Sequence, residues 1–167
     1  DAWRADALSL IDELDPDLVI AASSDAGEPV DDAQDTLQGR TDGFRETFET
    51  LRRGGVEEVA FLLDTPWPTG DAVECAASHG DDLTSCTQHL ADASPNPQVS
   101  DAARAAADAT GGVSVIDPAP WLCDRSGECP VIVGNALVYR DASHMSEAYA
   151  AAIAPVLGER LTGLLRQ

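Results

Sequence analysis

Asp141 and His144 are the residues whose types and spacing most directly indicate chemistry in this sequence. They lie three positions apart in the stretch VYRDASHMS, residues 138–146, between a strand-like run and an alanine-rich segment. A carboxylate beside a histidine fixes the tautomer of the imidazole and stabilises its protonated form during proton transfer. The pair therefore predicts a general base, His144, oriented by Asp141. The alternative is that Asp141 caps the following helix and His144 is a surface residue of its first turn.

The four cysteines fall into two local pairs, Cys75 with Cys86 and Cys123 with Cys129. A short, turn-rich segment separates the members of each pair, so the chain can reverse and bring the two thiols together. Four cysteines allow three connectivities, and we predict the local one. Two disulfides indicate an oxidising compartment.

A zinc site is the alternative for the first pair, because Cys75, His79, Cys86 and His89 follow the spacing C-x3-H-x6-C-x2-H. Thiolates and imidazoles are preferred ligands of zinc. The spacing matches no specific zinc pattern, however, and the second cysteine pair has no histidine nearby. We therefore predict disulfides rather than a metal site, and no cofactor.

Helical and strand-like segments alternate along the chain, which predicts an α/β fold in three layers with a mainly parallel sheet. In such sheets, ligand sites lie beyond the carboxyl ends of the strands, where Asp141 and His144 are expected. Residues 23–41 are predicted to be a loop, and residues 64–97 a long irregular segment. The predicted helices are 2–14, the segment marked by Phe44, Phe48 and Leu51, 101–109 and 143–165; the predicted strands are 18–22, 56–63 and 113–116, followed by a hairpin around Gly134-Asn135.

Length and charge limit the classes of function. A chain of 167 residues suits a single domain, which we predict over residues 1–167. The formal net charge is −20 and all ten basic residues are arginine, so the chain repels phosphate backbones and no nucleic-acid partner is expected. The sequence has no run of 18 or more apolar residues, so no membrane span is predicted.

The stretch WLCDRSGECPVIVGNALVYRDASHMSEAYAAAIAPVL resembles the carboxyl-terminal end of the SGNH-type (GDSL-like) hydrolase domains fused to membrane acyltransferase-3 proteins. Those domains have a cysteine pair around a small turn, a valine-rich strand, a D-x-x-H motif and an alanine-rich helix. The stretches WRADALSLIDELDPDLVIAAS and ECAASHGDDLTSC resemble earlier parts of the same family, so the resemblance covers nearly the full chain.

This resemblance implies an SGNH-hydrolase-like (flavodoxin-like) three-layer fold that is incomplete at its amino-terminal end. It implies an extracytoplasmic O-acyltransferase or esterase domain acting on cell-envelope or surface glycans, with His144 as base and Asp141 as its orienting acid. The implied partners are a glycan or acyl-donor substrate and an upstream transmembrane acyltransferase domain in the parent chain. The implied location is the extracytoplasmic face of a membrane.

The nucleophile of that family is a serine in a Gly-Asp-Ser motif ahead of the P-D-L-V strand, and this sequence contains no Gly-Asp-Ser. The chain begins at Asp1 and its only methionine is Met145, so we expect it to be the carboxyl-terminal portion of a longer protein that carries the serine upstream. Ser23 or Ser24, directly after a predicted strand, is the alternative nucleophile. The alternative function is a catalytically inactive module that binds glycan or a partner protein.

Overall fold

The computed structural model describes residues 2–29 and 35–166, which contain six α-helices and seven β-strands. The three longer strands belong to one sheet, and the four two-residue strands form two small ladders. The helices are α1 (Ala2–Leu14), α2 (Leu37–Arg53), α3 (Ala72–Ser78), α4 (Pro97–Thr110), α5 (Ala119–Leu122) and α6 (Glu147–Leu164); the strands are β1 (Leu18–Ala22), β2 (Glu58–Leu62), β3 (Gln88–His89), β4 (Val113–Ile116), β5 (Glu128–Cys129), β6 (Ile132–Val133) and β7 (Ala136–Leu137).

The main sheet is parallel and has the order β1-β2-β4. Ile20 of β1 is paired with Ala60 of β2, and Ala60 is paired in turn with Ser114 of β4. Apolar residues dominate its strands, with Glu58 at the start of β2 and Ser114 inside β4 as the polar exceptions. The parallel sheet with intervening helices confirms the predicted α/β class.

The described residues form two compact units. The first comprises the described residues up to Leu63, the segment Asn96–Ile116, and the chain from Leu161 onward. The second comprises Asp64–Pro95 and Asp117–Arg160. The single domain over residues 1–167 stays a prediction.

The core of the first unit lies where α2 and α4 pack against the sheet. Phe61 of β2 packs edge-to-face on Phe44 and Phe48 of α2, with ring centroids 5.2 and 5.4 Å apart. Such aromatic pairs contribute about 0.5–1.5 kcal/mol beyond the area that they bury. The side of α4 that faces this core is built from alanines, which let the two helices approach closely; they are Ala103, Ala106 and Ala107.

Helix α1 forms where the apolar spacing predicted it, but it buries none of its residues completely. Leu8 and Ile11 pack on the core of the first unit, whereas Trp3, Leu10 and Leu14 remain 77%, 54% and 67% exposed. No helix among the described residues is both long and apolar enough to cross a membrane.

The second unit has its own core, centred on two buried tyrosines and the first disulfide. The hydroxyl of Tyr139 donates to the carbonyl of Pro66 at 2.7 Å, and that of Tyr149 donates to the carbonyl of Trp121. The predicted hairpin around Gly134-Asn135 is present as the antiparallel pair β6–β7. The buried residues of this core are Ala72, Cys86, Leu122, Val131, Val138, Tyr139 and Tyr149.

Capping side chains explain two corrections to the predicted loops. Residues 30–34 of the predicted loop 23–41 lie outside the described residues, but helix α2 already begins at Leu37. The hydroxyl of Thr36 accepts a hydrogen bond from the N–H of Gly39 at 3.0 Å, which starts the helix in a polar stretch without an apolar signal. In residues 64–97, α3 interrupts the predicted irregular segment because the carboxylate of Asp71 accepts from the N–H groups of Val73 and Glu74.

The last helix begins later than predicted, at Glu147 rather than near Ser143. Ser146 is its N-cap, since its carbonyl accepts from the N–H of Ala150 at 2.9 Å and its hydroxyl accepts from the N–H of Tyr149 at 3.1 Å. Asp141 therefore does not cap this helix, and the short segment that contains Asp141 and His144 is a separate turn.

Candidate active site at Asp141 and His144

Backbone hydrogen bonds hold the two ends of the turn that carries Asp141 and His144. The N–H of Arg140 donates to the carbonyl of His144 at 2.9 Å, and the N–H of Ser146 donates to the carbonyl of Val138 at 2.8 Å. Between these bonds, Tyr139 and Met145 form an antiparallel bridge. Because Val138 and Tyr139 are fully buried, the base of the turn is anchored in the core of the second unit.

The carboxylate of Asp141 is held by the backbone of its own turn. Its Oδ1 accepts hydrogen bonds from the N–H of His144 at 2.7 Å and from the N–H of Ser143 at 2.9 Å. Aspartate commonly closes a turn in this way, with its side chain imitating a backbone carbonyl. These bonds, that of His144 first, hold the pKa of Asp141 at about 2, so the carboxylate is ionised at neutral pH.

The imidazole of His144 lies against the same carboxylate. Its Nδ1 is 2.9 Å from Oδ2 and 3.0 Å from Oδ1 of Asp141. An ionised carboxylate only accepts hydrogen bonds, so Nδ1 must carry the proton and the lone pair of the neutral ring is on Nε2. The side chain is 63% exposed, and within the described part of the chain no hydrogen bond is made to Nε2. The ring of His144 is therefore held with its lone-pair nitrogen accessible, which is the geometry that a general base requires.

Ser143 is a neighbour of the pair that the sequence did not single out. Its hydroxyl lies 3.2 Å from Nδ1 of His144, and its N–H supports Asp141. That hydroxyl approaches Nδ1, the nitrogen that donates to Asp141, and does not approach Nε2. Ser143 consequently supports the turn and is not placed as the nucleophile of this histidine. In the sequence, the position of Ser143 between Asp141 and His144 was the signal that could have identified it as a neighbour of the pair.

Arg140 adds a positive charge next to the pair. Its Nε lies 3.8 Å from Oδ2 of Asp141, and its side chain is 65% exposed. Solvent screens an ion pair of this kind, whose contribution to stability is small.

Ser23 and Ser24, the alternative nucleophiles, lie in the first unit, whereas Asp141 and His144 lie in the second. The hydroxyl of Ser24 accepts from the N–H of Ala26 at 3.2 Å, and that of Ser23 lies 3.5 Å from the carbonyl of Ser24. These are local contacts of the turn that follows β1. A nucleophilic role for either serine stays a prediction.

Both cysteine pairs form the predicted local disulfides. Cys75 and Cys86 are joined with an Sγ–Sγ distance of 1.97 Å, and Cys123 and Cys129 with one of 1.99 Å. The second bridge closes a turn in which Oδ1 of Asp124 accepts from the N–H of Ser126 at 2.8 Å. Hydrogen bonds from Ser126 and Glu128 lower the pKa of Asp124. This carboxylate thus supports its turn much as Asp141 does, but within the described residues its hydrogen bonds come from Ser126 and Glu128 and none comes from a histidine.

The four residues of the zinc alternative do not form a single group in the part of the chain that the structure describes. Within the described residues, Cys75, His79 and Cys86 form a group whose donor atoms all lie within 4.8 Å of one another. His89 is not a member of it, and its Nδ1 instead accepts from the N–H of Ala91 at 3.2 Å. The structure therefore places His79 beside the disulfide and His89 outside the group, although the sequence spacing had suggested that both belong to one site.

Comparison with known proteins agrees with the α/β fold. A family model described as the SGNH domain fused to AT3 domains matches residues 1–159. The solved structure of the periplasmic domain of a lipopolysaccharide acetyltransferase from Salmonella ser. Paratyphi A is similar with a TM-score of 0.63 at 15% identity. The match covers 92% of this chain and 61% of that chain.

At that identity, the structural likeness establishes the fold alone, and together with the family match it confirms the predicted SGNH-like α/β fold. No curated protein matches the chain significantly. The family match spans nearly the whole chain, including both cysteine pairs and the D-x-x-H turn. The chain belongs to the family of SGNH domains that are fused to AT3 domains.

Proposed function

We propose that this chain is part of an extracytoplasmic O-acyltransferase or esterase that acts on cell-envelope or surface glycans through a Ser-His-Asp mechanism. The observation that carries the proposal is the orientation of His144. Its Nδ1 is bound to the ionised carboxylate of Asp141, and its side chain is exposed to solvent. That arrangement leaves Nε2 as the base and stabilises the imidazolium once a proton has been taken.

The proposed reaction has two half-steps. Nε2 of His144 takes the proton of a serine hydroxyl while the serine oxygen bonds to the acyl carbonyl carbon. The tetrahedral intermediate then expels the donor oxygen, which receives the proton from His144, and an acyl-serine remains. An acceptor hydroxyl, or water in an esterase, next gives its proton to Nε2 and takes the acyl group. The serine oxygen recovers the proton, so the enzyme returns to its starting state.

The serine of this mechanism is proposed to lie in a Gly-Asp-Ser segment of the parent protein, upstream of the sequence described. Two observations support this placement: the chain has no Gly-Asp-Ser, and Ser143, which does contact His144, approaches the wrong ring nitrogen. The donors of an oxyanion hole, which stabilise the tetrahedral intermediate, are proposed to come partly from the same segment.

The proposed setting follows from the family and from the disulfides. Fusion to AT3 domains supports a membrane acyltransferase domain in the parent chain, which would be the source of the acyl group. Two disulfides support an oxidising, extracytoplasmic compartment. A glycan acceptor is consistent with the similarity to a lipopolysaccharide acetyltransferase domain.

Hydrolysis of a simple acetyl ester tests the proposal. The chain joined to the preceding segment of its parent should hydrolyse the ester, and His144→Ala should lower kcat about 10⁶-fold, as loss of the histidine of a serine triad does. His89→Ala is the matched control, because it removes an imidazole of the same unit that lies outside the pair. Equal rates for His144→Ala and the unchanged protein would contradict the proposal.

The same assay separates the alternatives. The chain alone, without the preceding segment, should show no activity above background. Activity of the chain alone that His144→Ala abolishes would instead point to Ser23 or Ser24 as the nucleophile. No activity in the joined protein, together with retention of a glycan, would indicate the catalytically inactive binding module.

A further inference from the structure

A second group of reactive side chains lies around helix α3, apart from the Asp141–His144 pair. Cys75 is on α3 and His79 is its C-cap, four residues later and one helical turn along the same face. Cys86 ends the following 3₁₀ helix, Leu83–Cys86, and is bonded to Cys75. The N–H of Asp82 donates to the carbonyl of His79 at 2.9 Å, which fixes the connection between the two helices.

The ring of His79 lies over the disulfide. Its Nδ1 is 3.8 Å from Sγ of Cys75 and 4.0 Å from Sγ of Cys86. It also lies 3.0 Å from the carbonyl of Cys75, to which it donates in the disulfide form. His79 is exposed and Cys75 is half-buried, so a reductant and an ion can both reach the group.

We infer that reduction of the Cys75–Cys86 disulfide creates a Zn²⁺ site made of Cys75, His79 and Cys86. The reductant is a dithiol. Its thiolate attacks one sulfur of the bridge, its second thiol resolves the mixed disulfide, and the products are two cysteine thiols and an oxidised dithiol. Zn²⁺ then displaces one proton from each thiol, and the proton of His79 resides on Nε2 so that Nδ1 binds the metal.

The distances favour this ion. Zn–S bonds of about 2.3 Å and a Zn–N bond of about 2.0–2.1 Å at tetrahedral angles place the two sulfurs about 3.8 Å apart and each sulfur about 3.6 Å from the nitrogen. Nδ1 of His79 already lies within a few tenths of an ångström of that spacing from both sulfurs. The two sulfurs, which are bonded to each other in the bridge, have to move apart on reduction. The fourth position would be left to water.

The second disulfide offers an internal comparison. Cys123 and Cys129 also close a short turn, but the described residues contain no metal-capable group around them. Reduction of that bridge should therefore produce two thiols without a specific zinc site. The proposed zinc site uses neither Asp141 nor His144, so the zinc titration and the ester assay can fail separately.

Metal binding by the reduced chain tests the inference. The chain is reduced with a phosphine, freed of the reductant without oxygen, and titrated with Co²⁺ and then Zn²⁺. Reduced protein should give the thiolate charge-transfer and intense visible absorption of tetrahedral Co²⁺, and Zn²⁺ should displace it. His79→Ala should weaken Zn²⁺ binding by at least about 10–100-fold, the loss typical even of an outer-shell partner. His89→Ala should bind as the unchanged chain does, and the oxidised chain should not bind.

Alkylation supplies a second readout that identifies the cysteines. Bound Zn²⁺ should protect Cys75 and Cys86 from a maleimide, while Cys123 and Cys129 react freely, as measured by mass spectrometry of peptides. Equal binding by His79→Ala, absence of tetrahedral Co²⁺ absorption, or protection of the second pair instead would each overturn the inference. Circular dichroism of the reduced chain accompanies the titration, and binding that requires loss of the folded signal would overturn it as well.

Discussion

The carboxylate of Asp141 is ionised, and in this form it holds the imidazole of His144. Two backbone N–H groups stabilise its negative charge on one oxygen, and that charge in turn holds the N–H of the imidazole. The carboxylate is therefore a structural part of the turn and, in the proposed mechanism, the group that orients the base. Replacing its charge and replacing its shape should have different consequences.

The first prediction concerns that charge. Asp141→Asn keeps an oxygen that can accept from the backbone, but it no longer stabilises an imidazolium or selects the Nδ1–H tautomer. We expect kcat for ester hydrolysis by the parent protein to fall about 10³–10⁴-fold with little change in the circular dichroism spectrum. Asp124→Asn is the matched control, because Asp124 closes a similar turn through hydrogen bonds from Ser126 and Glu128, with none from a histidine in the described residues. A loss smaller than about tenfold for Asp141→Asn would contradict this role.

The second prediction is the pH dependence of stability. The ordinary pKa of the carboxyl, 3.8, falls to about 2 in the folded chain, so the unfolded chain binds more protons between these values. The contribution of Asp141 is thus present above about pH 4 and is lost as the pH falls through about 2. Urea unfolding at pH 5 and at pH 2 should show that the stability gap between the chain and Asp141→Asn narrows at the lower pH. A gap that is constant or widens on acidification would contradict it.

At the scale of the elements, apolar patterning predicted the sheet well and the helix starts poorly. The short runs at 18–22 and 113–116 became strands over the predicted residues, because they contain β-branched residues and follow the helix-ending segments Asp15-Pro16-Asp17 and Gly111-Gly112. Helix starts depend on single capping side chains. Ser143 and Ser146 both precede the helical segment, and sequence alone does not separate them. The side chain of Asp141 determines which serine caps the helix. It accepts hydrogen bonds from the N–H groups of Ser143 and His144, and so holds these residues in a separate turn.

The third prediction tests that boundary. Ser146→Ala removes the hydroxyl that accepts from the N–H of Tyr149 and donates to the carbonyl of Leu137. Loss of an N-cap should destabilise the chain by about 1 kcal/mol in urea unfolding. Ser143→Ala, which keeps the backbone N–H that Asp141 uses, should change stability by less than about 0.5 kcal/mol. The reverse order of the two effects would place the cap at Ser143.

At the scale of the whole molecule, the sequence located the Asp141–His144 pair and both disulfides, because each depends on residues close in the chain. It did not reveal that Cys75, His79 and Cys86 cluster without His89, since that depends on the short helices within residues 64–97. Nor did it predict two compact units or the exposed side chains of α1. Those features depend on packing between distant segments, which local periodicity does not encode.

Covalent labelling of the parent protein with a fluorophosphonate tests most directly whether His144 activates a serine. The reagent bonds only to a serine whose proton is removed by a neighbouring base, and fluoride leaves. We predict one adduct per protein by intact mass, located in the Gly-Asp-Ser segment, absent in His144→Ala and retained in His89→Ala. Labelling that persists in His144→Ala would contradict the assignment of His144 as the base of an acyl-transfer enzyme.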